Sequence, residues 1–266
     1  MLTVWPQRFE VLMRRHLLLL PGRPLLWSAL LGSLLMGSLL LGAPVPARAA
    51  GDWVQGSNYF LLRPALPTSV APGKVEVTEV FSYACPACNR FYPVVDRLRA
   101  ALPANVEFDF VAAAFRADED WPMFQRAFYA AQALDIDKRT HDAMFDAVWK
   151  TGELGVFDQR TQRPRLPAPG IEDAARFYAR VAGVKPETFV ATASSFGVDV
   201  KIRQADQFVR AAQVAETPTI IVNGKYRVTI GAAGGDDQLI ELVKYLVAQE
   251  SPAQPPNPAH PAPKPH

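Results

Sequence analysis

Cys85 and Cys88 are the only thiols among 266 residues, and they stand three positions apart in Phe81-Ser82-Tyr83-Ala84-Cys85-Pro86-Ala87-Cys88. A disulfide between them would close almost no loop. Stabilisation from a cross-link grows with loop length, so a structural staple is a poor use of this pair. Reversible thiol–disulfide exchange is the use that fits. A tetrahedral zinc site would need more ligands than the chain places together. Of its 4 histidines, His16 lies near the start, His260 and His266 in a proline-rich end, and only His141 in the part patterned as a globular domain. Two inert buried thiols, small hydrophobes in effect, are the bland alternative. No metal is expected, and no cofactor beyond the Cys85–Cys88 disulfide itself.

Exchange requires a thiolate, whereas a free Cys titrates at about 8.5. Pro86 stands where the first residue of a helix would be, a position that tolerates a missing N–H. Cys88, Phe91, Tyr92, Val95, Leu98 and Leu102 then recur at helical spacing. Cys85 therefore falls at a helix N-terminus, where unpaired N–H groups and the macrodipole favour negative charge. It is expected to be the exposed nucleophile with a depressed pKa. Cys88, one turn further in, is expected to be the shielded resolving thiol.

Two further positions stand out. Val75, Val77, Glu79 and Phe81 alternate with Glu76, Thr78, Val80 and Ser82, which reads as a strand feeding that helix. Glu79 puts an acid on the apolar face. Buried there, its carboxyl would have a raised pKa and could pass protons to and from Cys88; an edge strand that leaves Glu79 wet is the alternative. Pro218 opens the run 219–222, which reads as a central strand that would normally exclude proline. A cis Thr217–Pro218 bond resolves the conflict and leaves the backbone before it free to pair with a substrate. A trans proline at a strand start is equally compatible with the sequence.

Around these residues the chain supplies a frame. Val106, Phe108 and Phe110 mark a second strand, and helical patterning follows from 121 to 214: Phe124, Phe128, Ala131 and Leu134, then Met144, Phe145 and Val148, then Phe177, Tyr178 and Val181, then Ile202, Ala205, Val209 and Ala212. Gly, Pro and Arg mark 152–170 as a long surface loop. Asn223-Gly224 is a hairpin signal, with a returning strand over 226–230 and a last helix over 236–249. Strand, helix, strand, helical block, hairpin, helix predicts an α/β thioredoxin-like fold with an inserted helical domain. Its core would comprise 50–111 and 214–250, and the insertion 112–213.

The ends differ in character. Arg8, Arg14, Arg15 and Arg23 precede an apolar run over 25–43 and the small-residue exit Ala47-Arg48-Ala49. That is the pattern of a secretory signal, with cleavage expected after Ala49. The run is nearly long enough to span a bilayer, so an uncleaved anchor is the alternative. Export would place the cysteines in an oxidising compartment. Residues 251–266 carry proline at almost every second position, the composition of a disordered spacer. A formal net charge of +2 gives no field for nucleic acid or an anionic membrane.

Over 59–246 the chain resembles the DsbA-like periplasmic thiol–disulfide oxidoreductases. The resemblance is carried by Glu79-Val80-Phe81-Ser82-Tyr83 before the cysteine pair, by Thr217-Pro218-Thr219, and by Val222-Asn223-Gly224-Lys225-Tyr226. It implies a monomer that donates its disulfide to unfolded exported proteins and is reoxidised by a quinone-linked, DsbB-like inner-membrane partner. It makes Cys85 the nucleophile, Cys88 the resolving thiol, Glu79 the buried acid and Pro218 the cis-proline, with Pro86, Ala87, Thr217 and Pro218 lining the substrate. Three departures bear on function. Family members commonly carry His where this chain has Ala87, which implies a milder oxidant. Some pair the buried acid with a lysine on the next strand, where Phe108 and Phe110 stand here. The loop over 155–169 is also longer than usual. A reductase or isomerase of the same fold, or a chaperone-like binding module, are the competing readings.

Overall fold

The computed structural model describes residues 53–251 apart from Gln159 and Gln162. The expected leader over 1–49 and the proline-rich tail beyond Ser251 lie outside the described residues. In chain order the elements are β1 (Phe60–Leu61), β2 (Val75–Phe81), α1 (Pro86–Ala101), β3 (Val106–Ala112), α2 (Trp121–Ala133), α3 (Asp137–Trp149), α4 (Ile171–Ala182), α5 (Pro186–Ala193), α6 (Phe196–Ala211), β4 (Thr219–Val222), β5 (Tyr226–Thr229), α7 (Ile230–Ala233) and α8 (Asp236–Glu250).

The strands form one sheet in the order β1-β5-β4-β2-β3. β2 is central. It runs parallel to β3, with Glu79 opposite Phe110, and antiparallel to β4, with Val77 opposite Val222. All 7 of its residues are buried, because both of its faces are covered. Val75 and Val77 pack with Phe91, Val95 and Leu98 of α1 and with Leu239, Leu242, Val243 and Leu246 of α8. On the opposite face Val80 and Ile221 meet Val209 and Ala212 at the end of α6. Burying each such aliphatic side chain is worth about 1.5–3 kcal/mol, so this two-faced packing fixes β2 and whatever it carries.

The helical block α2–α6 lies between the two halves of the sheet in sequence, yet its core is continuous with theirs. Phe124, Phe128, Phe145, Tyr178 and Phe189 share one buried cluster with Phe81, Tyr83, Cys85 and Cys88. Phe81 is the hinge of that cluster, its ring 5.2 Å from Phe128, 5.0 Å from Tyr83 and 5.6 Å from Phe110, all edge-on. Edge-to-face pairs of this kind add to the area they bury.

The hairpin between β4 and β5 turns on Asn223 and Gly224, both with positive φ, at 51° and 63°. Gly224 is required twice over, because a Cβ there would stand 2.3 Å from the Leu66 carbonyl oxygen. Two details depart from the sequence reading. Ile230 opens the short helix α7 and does not extend β5. β1, only 2 residues long, escapes detection by periodicity, and it pairs with β5.

Candidate active site

The turn between β2 and α1 builds the cysteine site. Cys85 is the N-cap of α1, in extended backbone with φ −85° and ψ 118°, and Pro86 takes the first helical position. The Cys85 Sγ accepts the Cys88 backbone N–H at 3.4 Å, which satisfies one of the free donors at the helix start. Cys88 then points back into the core. Both cysteines are free thiols.

From the other side, β4 brings in Thr217 and Pro218. The Thr217–Pro218 bond is cis, and the Thr217 carbonyl oxygen lies 3.4 Å from the Cys85 Sγ, accepting from the thiol. Residues 132 positions apart thus face each other across the site. Pro218 is buried while Thr217 and Ala87 are half-buried and Pro86 is exposed. One expectation is corrected here. Cys85 is not an exposed thiol: only 6 % of it is accessible, against 0 % for Cys88. It shares one buried cluster with Tyr83, Ala84 and side chains of the helical block, and it keeps a small accessible area that Cys88 lacks.

The electrostatics separate the thiols further. The Cys85 pKa falls from 9.0 to about 6. The Cys88 side chain is the largest influence; burial opposes, and the Thr217 side chain and the backbone N–H groups of Cys88 and Ala87 add to the lowering. The Cys88 thiol is pushed well above its ordinary value, by burial first and then by its neighbours Cys85 and Glu79. Glu79 is 2 % exposed on the central strand, not at a wet edge. Burial, reinforced by the charge of Cys85, pushes its carboxyl from 4.5 up to about 8. Its Oε2 has no hydrogen-bond partner among the described residues. The residue opposite it on β3 is Phe110, not a cation.

Sequence reasoning gave no role at the site to Tyr83, His141 or Trp149. The Tyr83 hydroxyl lies 3.0 Å from the His141 Nδ1. Burial, and after it the charge of Arg99, lowers the His141 pKa to about 3, so the imidazole is neutral. Trp149 donates its indole N–H to the Tyr83 carbonyl oxygen at 2.8 Å. A signal was present, since His141, Phe145 and Trp149 recur every fourth residue, but that stripe is indistinguishable from ordinary core until its target is known.

A catalogued family of thioredoxins matches residues 71–241 of this chain. The thiol:disulfide interchange protein DsbA of Pseudomonas aeruginosa is 34% identical over 204 residues, which span 77% of this chain and 89% of that protein. The chain belongs to the DsbA family. The DsbA of Azotobacter vinelandii is similarly 34% identical over 192 residues, 71% of this chain and 82% of that one. The crystal structure of the oxidoreductase DsbA from Xylella fastidiosa superposes with a TM-score of 0.65 at 32% identity, covering 74% of this chain and 97% of that one. This DsbA-family chain is a thiol–disulfide oxidoreductase of the thioredoxin superfamily, with the α/β core and helical insertion that the order of its elements predicts.

Proposed function

We propose that the protein is an oxidase of exported proteins, donating the Cys85–Cys88 disulfide to substrate dithiols. The observation that carries this reading is the asymmetry at the head of α1. There Cys85 is an N-cap thiol with its pKa lowered to about 6, and Cys88 is a thiol that burial keeps protonated. Stabilising the Cys85 thiolate stabilises the reduced protein, and a disulfide whose reduced form is stabilised is a good oxidant.

In the forward direction a substrate thiolate attacks the Cys85 sulfur, the one with an opening to solvent. The Cys85–Cys88 bond breaks and Cys88 leaves with the electron pair. The buried Glu79 carboxyl, protonated at neutral pH, returns a proton to Cys88. A second substrate thiolate attacks its partner in the mixed disulfide, and Cys85 departs as the stabilised thiolate. Two electrons have passed from the substrate dithiol to the protein. The exposed Pro86, Ala87 and the Thr217–Pro218 backbone are the groups that meet the substrate chain. Restoring the disulfide needs an acceptor of two electrons, for which the family resemblance suggests a quinone-linked, DsbB-like membrane partner. The leader over 1–49 suggests the periplasm, where the protein would act as a monomer.

A redox titration against glutathione, combined with trapping by Cys88→Ala, tests the reading. A potential well above that of thioredoxin, with mixed disulfides accumulating at Cys85, is the expected result. A potential near that of thioredoxin would turn the assignment to a reductase, the direction in which Ala87 points.

A further inference from the structure

The cysteine turn is held from outside as well as from within. Tyr83 and Ala84 share one peptide plane. Its carbonyl oxygen receives the Trp149 indole N–H at 2.8 Å, and its N–H is donated to the Ser82 Oγ at 3.2 Å. The next N–H, that of Cys85, is donated to the Ser82 carbonyl at 3.1 Å. A peptide plane bonded at both poles cannot rotate without losing one bond, and this plane determines where the chain enters Cys85. Ser82 belongs to the turn itself. Trp149 belongs to the helical insertion.

The rest of α3 explains why Trp149 can serve this purpose. His141, Phe145 and Trp149 lie four residues apart along the helix and therefore on one face. All three meet Tyr83: His141 at its hydroxyl, Phe145 with a ring 5.0 Å away, and Trp149 at its carbonyl. The same helix grips α1 beyond the cysteines, where Phe145 stacks on Tyr92 at 5.1 Å and Asp146 accepts the Tyr92 hydroxyl at 3.1 Å. α3 thus spans the cysteine pair from the residue before it to the helix after it.

We propose that Trp149 is a positioning residue for thiol–disulfide exchange, its indole N–H fixing the Tyr83–Ala84 peptide so that Cys85 is seated as the N-cap of α1. The proposal rests on Cys85 being the attacked and attacking sulfur. It gives the helical insertion a part in setting thiol reactivity as well as in covering the fold.

The test is Trp149→Phe, which keeps an aromatic ring on α3 and removes the donor, compared with Tyr92→Phe, which loosens the α1–α3 contact without touching the peptide. The pH profile of Cys85 alkylation and the reduction potential are measured for both and for the wild type. Trp149→Phe is expected to move the alkylation midpoint up by about half a pH unit, with thiolate at mildly acidic pH reduced about threefold, and to lower the potential. Tyr92→Phe is expected to lose thermal stability and keep the wild-type profile. A Trp149→Phe protein that is less stable but has an unchanged midpoint and potential would overturn the proposal, as would the same profile shift in both variants. Should Trp149→Phe not fold, the indole N–H resonance of Trp149 in the reduced wild type supplies the answer. It should titrate with the Cys85 midpoint, and a resonance indifferent to that ionisation would equally overturn it. Peptide mapping keeps the two readings apart: label on Cys88 would refute the assignment of Cys85 as nucleophile, whatever Trp149 does.

Discussion

Cys85 and Cys88 stand three positions apart, and one helical turn makes them chemically unlike. The first caps the helix, so its sulfur meets unpaired N–H groups; the second lies inside the turn, in the aromatic cluster that includes Phe81, where burial opposes a charge. Iodoacetamide should therefore label Cys85 alone, with a rate midpoint at about pH 6, and Cys85→Ser should abolish exchange. Mass mapping of the labelled peptide checks this, and equal labelling of both sulfurs would contradict it. Ala87, between them, contributes a methyl group to the aromatic cluster and no charge. Ala87→His would place a cation beside the thiolate and lower the Cys85 pKa, and the reduction potential must then rise. Each pKa unit corresponds to about 1.4 kcal/mol, or about 30 mV for a two-electron couple. Glutathione titration of both proteins gives the answer, and an unchanged or lower potential in the variant would show that oxidising power is set elsewhere.

At the scale of elements, β2 turns an awkward residue into a usable one. Because the strand is central and covered on both faces, Glu79 keeps its proton in the folded protein up to about pH 8 and gives it up at 4.5 when exposed. Within that window folding takes up a proton, so the stability of the wild type falls as pH rises. Glu79→Gln has no proton to take up. In the oxidised protein, where Cys85 does not titrate and burial alone raises the Glu79 pKa, the variant should gain on the wild type steadily from the acid to the alkaline end of the window. Parallel urea titrations at several pH values measure the difference, and a pH-independent gap would show that Glu79 is ionised in the fold. The same variant should slow proton return to Cys88 and leave Cys85 alkylation nearly unchanged. Much of this arrangement was legible beforehand. Period-two alternation reveals β2, Pro86 marks the start of α1, and the acid on the apolar face marks Glu79. Asn223-Gly224 gives the hairpin. What escaped notice depends on partners distant in sequence. Two residues of β1 carry no period, and a Trp on a helix face looks like core until the Tyr83 carbonyl is seen in front of it. Exposure escaped for the same reason: helix position places Cys85 at the N-terminus of α1, but the buried cluster it joins draws on side chains of the helical insertion.

For the molecule as a whole, redox state and stability are linked through one sulfur. In the reduced protein the Cys85 pKa is about 6 when folded and 9.0 when exposed, so folding releases a proton between those values. The resulting stabilisation is complete above pH 9.0 and is lost as the pH falls through about 6. The reduced form should gain on the oxidised form by about 4 kcal/mol over that range. Calorimetry of the two forms at matched pH tests this, and melting differences that do not vary with pH would contradict it. The separation of 132 positions between Cys85 and Thr217 has a further consequence, one that concerns time. A ribosome delivers the chain from its N-terminus, so Cys85 and Cys88 emerge long before Thr217, and β2 waits for β4 with Val77 unpaired from Val222. The helical insertion, with Trp149, arrives in the interval. The Thr217 carbonyl comes to face Cys85 only when the hairpin has been added, so a chain cut short before residue 217 carries both cysteines without the acceptor that stands opposite Cys85.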